Sequence, residues 1–196
     1  QNIVVNNIVG LTEDGSAPLP NETGVLINDA QQNCVGGVVP TDIESKAHCF
    51  LLPTADNPLL GNVISANEQF GIQLANPNAK NNVIQSNYIG TDFTGTVTDP
   101  DGTADSGDEY GNGFDGVGLF AGASINLIGG TRTGTGNVIS GNLGDGIFMM
   151  GAENSITANN VVSGNYIGVD KTGAVALGNG ARGIHLSQHS ESTTIG

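Results

Sequence analysis

The stretch NVISGN, from Asn137 to Asn142, recurs along the chain and decides the fold. Its other copies are NIVVNN from Asn2, NVISAN from Asn62, NVIQSN from Asn82 and NVVSGN from Asn160. Each copy opens with asparagine and carries a second asparagine five positions later. A motif that returns in this way is typical of a repeat protein, in which each copy forms one structural unit.

Two further patterns accompany the asparagine block. One is a glycine followed by an apolar alternation, and it begins at Gly24, Gly71, Gly116, Gly146 and Gly183. The other appears as NCVGG from Asn33, NLIGG from Asn126, NSIT from Asn154 and TTIG from Thr193. Short β-branched runs bounded by glycine and asparagine read as strands, so the sequence predicts three short strands per repeat.

Strands this short bury no face alone and become stable when successive copies stack. The sequence therefore predicts an all-β fold, a right-handed parallel β-helix of about five coils with three short strands each. We expect a single domain over residues 1–196, with inserted loops at about 38–60 and 91–113.

The pleat of each strand sends alternate residues inward, which predicts three interior rows. The first row contains Val4, Ile64, Ile84, Ile139 and Val162. The second contains Val25, Ile72, Val117, Ile147 and Ile184. The third contains Val35, Ile128, Ile156 and Ile195.

The repeated asparagines are predicted to be structural. At a fixed turn position, each side-chain amide can bond to its copy one coil away, and asparagine tolerates the left-handed backbone that turns require. The motif register gives one ladder of Asn2, Asn62, Asn82, Asn137 and Asn160, and another of Asn7, Asn67, Asn87, Asn142 and Asn165.

Composition excludes several classes of function. Five Lys and Arg against nineteen Asp and Glu give a net charge of -14. Such a chain repels nucleic acid, because it has few cations to replace the counterions of phosphate. We also expect no membrane insertion, since no apolar run approaches the roughly 20 residues that span a bilayer.

The strings GNVISGN, NYIGTDFTGT, NYIGVDKTGA and NLIGGTRTGTGNVIS resemble the right-handed parallel β-helix repeats of secreted and surface proteins of bacteria and archaea. The resemblance covers nearly the whole chain outside the two insertions. It implies a secreted or cell-surface location and a repetitive scaffold. It transfers no catalytic residue, because adhesin-like, S-layer-associated and polysaccharide-directed proteins share this repeat type.

The strand faces do not predict an enzyme. A glycosidase needs two carboxyl groups flanking one bond, and a lyase needs a basic residue near a cation that neutralises the uronate. The expected outward positions of the glycine-led column are Leu26, Gln73, Gly118, Phe148 and His185, and none is a carboxylate. We therefore expect a structural or adhesive module. The alternative is a glycan-binding or polysaccharide-degrading protein, for which Phe70, Phe120 and Phe148 would line one face.

The two cysteines, Cys34 and Cys49, flank the first insertion. In a secreted chain a disulfide between them would close a surface loop. The other interpretation is two free thiols. The spacing is not that of a C-x2-C metal site.

The second insertion is rich in acidic residues, and calcium binds to oxygen ligands from flexible acidic loops. The candidate calcium ligands are Asp99, Asp101, Asp105, Asp108 and Glu109. Their spacing does not match an EF-hand loop, and the alternative is a solvated acidic loop. Near the other end of the chain, His185 and His189 lie close to Glu191 but lack further zinc ligands, so we predict a surface histidine pair.

The expected partner is either another copy of this chain or the flanking coils of a larger surface protein. The TTIG segment matches the register in which a following Asn2 block would continue the repeat. Head-to-tail stacking of copies through open ends would then produce a filament.

Overall fold

The structure, a computed structural model, describes residues 1–37, 61–103, 107 and 109–196. Within these ranges the chain forms strands and turns without a helix. Eighteen strands of two to four residues, numbered β1 to β18 in chain order, assemble into stacked parallel sheets.

Three sheets form the sides of the solenoid, and each takes one strand from every coil. The first sheet has β1 (Ile3–Val4), β4 (Cys34–Gly36), β7 (Val83–Gln85), β10 (Leu127–Gly129), β14 (Val161–Ser163) and β18 (Thr194–Ile195). The second has β2 (Ile8–Val9), β5 (Val63–Ile64), β8 (Tyr88–Ile89), β11 (Val138–Ile139) and β15 (Tyr166–Ile167). The third has β3 (Val25–Asn28), β6 (Ile72–Ala75), β9 (Val117–Phe120), β12 (Ile147–Met150) and β16 (Ile184–Leu186).

A small fourth sheet lies on the connection from the third sheet back to the first. It pairs β13 (Thr157–Ala158) with β17 (Ser190–Glu191), also in parallel. The described chain thus makes five complete coils, and β18 opens a sixth. The predicted parallel β-helix is confirmed.

The interior is an apolar core to which all three sheets contribute side chains. Its first-sheet row contains Val35, Ile84, Ile128 and Val162, and its second-sheet row contains Ile64, Ile89, Ile139 and Ile167. The third-sheet row is the predicted one, Val25, Ile72, Val117, Ile147 and Ile184, paired residue by residue. Most of these side chains are 0–2% exposed, so stacking like on like buries nearly all of their apolar surface.

Two of the predicted rows are wrong in membership. Val4, Ile84 and Val162 lie in the first sheet, but Ile64 and Ile139 lie in the second. From the predicted third row, Val35, Ile128 and Ile195 also join the first sheet, whereas Ile156 is 44% exposed and lies outside the rows. The TTIG segment accordingly begins a sixth coil in the first sheet, the sheet to which the Asn2 block also belongs, so the predicted continuation of the repeat from TTIG into a following Asn2 block is wrong.

These two rows were mixed because the six-residue motif forms a strand and the corner after it, and it does so in both the first and the second sheet. In the block from Asn82 to Asn87 it turns the chain from the first sheet to the second. In the block from Asn137 to Asn142 it turns the chain from the second sheet towards the third. Both corners need the same asparagines and the same β-branched strand, so the copies look alike in sequence.

Asparagine ladders run along the three corners, and each has five members. They are Asn2, Asn33, Asn82, Asn126 and Asn160; Asn7, Asn62, Asn87, Asn137 and Asn165; and Asn21, Asn67, Asn112, Asn142 and Asn179. In each step Nδ2 of one coil donates to Oδ1 of the next coil, over 2.7–3.1 Å. All three ladders run in the same direction.

The prediction of asparagine ladders is confirmed, and the assignment of residues to them is corrected. The predicted first ladder mixed members of the first two observed ladders, because Asn62 and Asn137 belong with Asn7. The predicted second ladder likewise included Asn67 and Asn142, which belong to the third corner. Five further ladder members were not predicted, namely Asn21, Asn33, Asn112, Asn126 and Asn179.

Glycine is required where a strand of the second sheet ends. Gly90 follows β8 with φ +85°, a backbone conformation that side chains other than glycine rarely adopt. A Cβ at this position would overlap the carbonyl oxygen of Ser140 in the next coil. Successive coils therefore approach each other closely at this corner.

The turns from the second to the third sheet share one hydrogen-bonding scheme. Asp92 Oδ1 accepts bonds from the amides of Thr96 and Val97, and its Oδ2 accepts one from Thr94 Oγ1. In the first coil, Thr12 stands at the position of Asp92 and Asp14 at the position of Thr94. Asp14 Oδ1 there accepts bonds from Thr12 Oγ1 and Ser16 Oγ. These bonds hold the pKa of Asp14 at about 2.

Candidate functional site

Five rings form a continuous row on the outer face of the third sheet. We call this row the aromatic strip; in order of ring contact it contains Phe114, Phe70, Phe120, Phe148 and His185, which belong to coils three, two, three, four and five. Successive ring centroids are 5.6, 5.3, 5.6 and 4.7 Å apart. The three phenylalanine pairs meet edge to face at 65–73°, and His185 stacks on Phe148 at 29°.

The sheet register explains why these rings meet. Phe148 and His185 are direct cross-strand neighbours in β12 and β16, and both point outward. Gly118 occupies the same position one coil earlier, in β9. A Cβ there would overlap Phe120 and lie 3.2 Å from Phe70, so glycine allows Phe120 to lie back across the sheet.

The strip is accessible to solvent along its length. Phe114 is 52% exposed, and Phe70, Phe120 and Phe148 are half-buried. Edge-to-face pairs are worth about 0.5–1.5 kcal/mol each beyond their buried area. The rings are therefore held in place by one another while part of their surface remains open.

A charged cluster lies at the His185 end of the strip. Asp145 is 6% exposed, and its Oδ1 accepts a 2.8 Å bond from the backbone amide of Arg182. Its Oδ2 accepts a 2.8 Å bond from His185 Nδ1, and Arg182 Nη1 lies 3.5 Å from Oδ1. Charge-assisted bonds of this kind are stronger than neutral ones, so Asp145 fixes the imidazole against Phe148.

Asp115 occupies the position of Asp145 one coil earlier. Its Oδ1 accepts a 2.7 Å bond from the backbone amide of Asp145, and the side chain is 9% exposed. Burial raises the pKa of Asp115 above its usual value, and the nearby Asp145 charge raises it further. The hydrogen bond from the Asp145 amide and the charge of His185 act in the opposite direction.

The structure brings together the three phenylalanines that the sequence suggested for one face, and it adds Phe114 and His185. Asp115 and Asp145 were not predicted as site residues. Each precedes a glycine that leads into a strand of the third sheet, so both lie outside the column of outward-facing strand residues from which the site was predicted. Their signal was present, since Asp115 and Asp145 both stand directly before Gly116 and Gly146.

The two histidines of the predicted surface pair lie in different elements, His185 half-buried on β16 and His189 exposed in the turn that follows it. His185 binds Asp145 on the outer face of the third sheet. His189 is exposed in the following turn, where its φ of 54° is left-handed. The proximity of these residues in sequence therefore does not indicate a shared site.

The candidate calcium ligands fall partly outside the described residues, which include neither Asp105 nor Asp108. Asp99 accepts a bond from the amide of Gly102, and Asp101 accepts one from the amide of Thr103. Glu109 lies just before Tyr110 at the end of this connection. In the described ranges, no group of three or more acidic, histidine or cysteine residues is arranged to hold a metal. Calcium binding stays a prediction.

Cys34 is disulfide-bonded and fully buried. It lies on β4 and packs against Val83 of the next coil. The other cysteine of the chain, Cys49, lies outside the described residues, as does the whole insertion at 38–60.

Comparisons with protein-family models, with curated proteins and with solved structures found no match to this chain. The family resemblance of the repeats therefore stays an expectation from their sequence. Among the described residues, no helix is long and apolar enough to cross a membrane.

Proposed function

We propose that the chain is an extracellular structural or adhesive β-helix module, secreted or held at a cell surface. The observation that carries this proposal is the set of asparagine ladders along the three corners. Each ladder ties five coils together through buried or part-buried amides. A rod tied in this way holds its three faces in a fixed arrangement, which suits a spacer or an adhesin.

One further observation supports a location outside the cell, and another bears on the kind of partner. Disulfides form and persist mainly in oxidising compartments, and Cys34 takes part in one. The net charge of -14 disfavours binding to nucleic acids, which are the main polyanions inside cells.

Adhesion under flow tests the proposal. Beads coated with the purified chain would be passed over surfaces carrying bacterial cells, polysaccharide or matrix protein, and the retained fraction would be counted. We expect retention above that of albumin-coated beads on at least one surface, without release of reducing sugar from the polysaccharide. Retention equal to albumin on every surface, together with turnover of a polysaccharide, would overturn the proposal.

A filament of copies stacked head to tail is a second candidate, favoured by the direction of the ladders. Every ladder amide donates towards the later coil, so a preceding copy would donate to Asn2, Asn7 and Asn21. Flanking coils of a larger surface protein would equally supply amides that donate to these three asparagines. Both β18 and β1 lie in the first sheet, so a following copy stacked directly on β18 would leave the second and third sheets one strand short at the junction, whereas flanking coils could supply those two strands.

Electron microscopy over a range of protein concentrations tests this arrangement. We expect rods that lengthen as the concentration rises. A single length of particle at every concentration would exclude filament formation by this chain.

A further inference from the structure

The shape of the aromatic strip limits what it can bind. From Phe70 to His185 each ring comes from the next coil, and successive centroids are 4.7–5.6 Å apart, close to the roughly 4.8 Å between neighbouring strands. This part of the strip therefore runs along the rod axis from coil two to coil five and is one ring wide. A typical protein partner covers about 800 Å² per side, which is broader than a single row of half-buried rings. A long, narrow ligand fits the strip better.

Aromatic faces attract both cations and the C–H faces of neutral rings. A cationic ligand would need a free carboxylate beside the rings. Asp145 already accepts bonds from Arg182 and His185, and Asp115 is buried beneath the strip. The local carboxylates are therefore poor partners for an external cation.

An anionic ligand is disfavoured by the charge of the whole chain. The net charge of -14 repels polyanions, including uronate-rich polysaccharides. The guanidinium at the strip, that of Arg182, lies 3.5 Å from the Asp145 carboxylate. The ligand that remains is uncharged.

Polar groups border the rings and can bond to hydroxyls. Gln73 is half-buried in the outward position that Phe148 occupies two coils later. The side chain of Arg182, 62% exposed, lies at the opposite end. An aromatic surface with a few polar groups at its margins is the usual composition of a small-molecule or sugar subsite.

We propose that the aromatic strip is the adhesive surface of this module and that it binds an uncharged polysaccharide chain lying along the rod. Sugar rings would place their C–H faces on Phe120 and Phe148, with their hydroxyls directed to the polar margins. This inference rests on the proposed adhesive function and specifies its ligand.

Three variants test the strip. Phe120→Ala and Phe148→Ala each remove a central ring. Phe93→Ala is the matched control, because Phe93 is 58% exposed and lies in the turn between the second and third sheets. Binding would be measured by depletion onto cellulose and chitin and by gel retardation in soluble neutral glucan, with pectate as the anionic comparison.

We expect wild type and Phe93→Ala to bind at least one uncharged polysaccharide equally, with little dependence on salt. Each strip variant should bind at least tenfold more weakly. Thermal melting and circular dichroism would check folding. Should a central variant misfold, Phe114→Ala removes the exposed ring at the end of the strip and should weaken binding as well.

Four outcomes would overturn the proposal. They are no binding to any uncharged polysaccharide, equal binding by folded strip variants, binding to pectate alone, and a wild-type dimer that Phe148→Ala abolishes. The last would assign the strip to a second copy. If beads coated with strip variants still adhere under flow as wild type does, the strip assignment fails while the adhesive function stands.

Discussion

The side chain of Asn87 donates a 3.0 Å hydrogen bond to Oδ1 of Asn137 in the next coil. Its second amide hydrogen goes to the carbonyl oxygen of Val35, 2.9 Å away. Its own Oδ1 accepts bonds from the backbone and side-chain amides of Asn62. Asn87 is fully buried, so one side chain satisfies polar groups of three coils without water.

Replacing this residue tests the ladder directly. Asn87→Ala removes the acceptor of the Asn62 backbone and side-chain amides, and it removes one donor each from Asn137 Oδ1 and the Val35 carbonyl. An unsatisfied buried polar group costs about 1–3 kcal/mol. We expect a loss of at least ~2 kcal/mol in unfolding free energy, measured by urea denaturation. Asn78→Ala is the control, because Asn78 is exposed, and it should unfold like wild type. Equal midpoints for the two variants would show that the ladder contributes little.

Close approach of the coils at Gly90 gives a second prediction. Gly90→Ala places a Cβ against the Ser140 carbonyl and forces a left-handed backbone. Strain and overpacking together should cost about 2–4 kcal/mol. Gly178→Ala is the control, since a Cβ there meets nothing within 4 Å. The same denaturation experiment measures both, and a stable Gly90→Ala protein would mean that this corner can open.

Asp115 makes stability depend on pH in an unusual direction. Its pKa is raised in the folded state, so its favourable contribution is complete below the usual value of 3.8 and is lost as pH rises through the folded pKa. Asp115→Asn keeps an oxygen acceptor for the Asp145 amide but carries no charge. This variant should melt above wild type at pH 7, and the difference should vanish in acid. Thermal melts from pH 3 to pH 8 would check it.

Asp14 should show the opposite sign. Its pKa is lowered to about 2, so it stabilises the fold above its usual value of 3.8, and this is lost as pH falls through about 2. Asp14→Asn should therefore melt below wild type at pH 7 and match it near pH 2. If Asp14→Asn and Asp115→Asn shift the melt in the same direction at pH 7, the assigned pKa shifts are wrong.

The disulfide of Cys34 is testable by chemistry alone. Non-reducing digestion and mass spectrometry should find a peptide that links Cys34 to Cys49, the only other cysteine in the chain. A dimer that dissociates on reduction would show instead that the bond joins two chains.

The interior row of the third sheet was predictable from sequence, because each strand of that sheet directly follows a glycine. The first two sheets were not separable, because the same six-residue motif builds two corners. Insertions between the motifs hide which corner a copy occupies. Ile64 and Ile84 therefore look equivalent in sequence, although they lie on different sides of the core.

The candidate site was predictable only in part. The alternation in β12 and β16 placed Phe148 and His185 on the outside, and the structure stacks their rings. The bond from His185 to Asp145 joins residues 40 positions apart. This bond depends on the register between coils, which the intervening turns determine. Local hydrophobic periodicity carries no information about that register.

The common direction of the ladders has an electrical consequence. Side-chain amides carry dipoles, and in each ladder step one N–H of the amide points to the later coil while the amide oxygen points to the earlier one. Because the amide dipoles of one ladder point in the same direction, they add up along the rod, as the peptide dipoles of an α-helix do. The late-coil end of the rod therefore carries a partial positive potential and the early-coil end a partial negative one, superimposed on the acidic charge of the molecule.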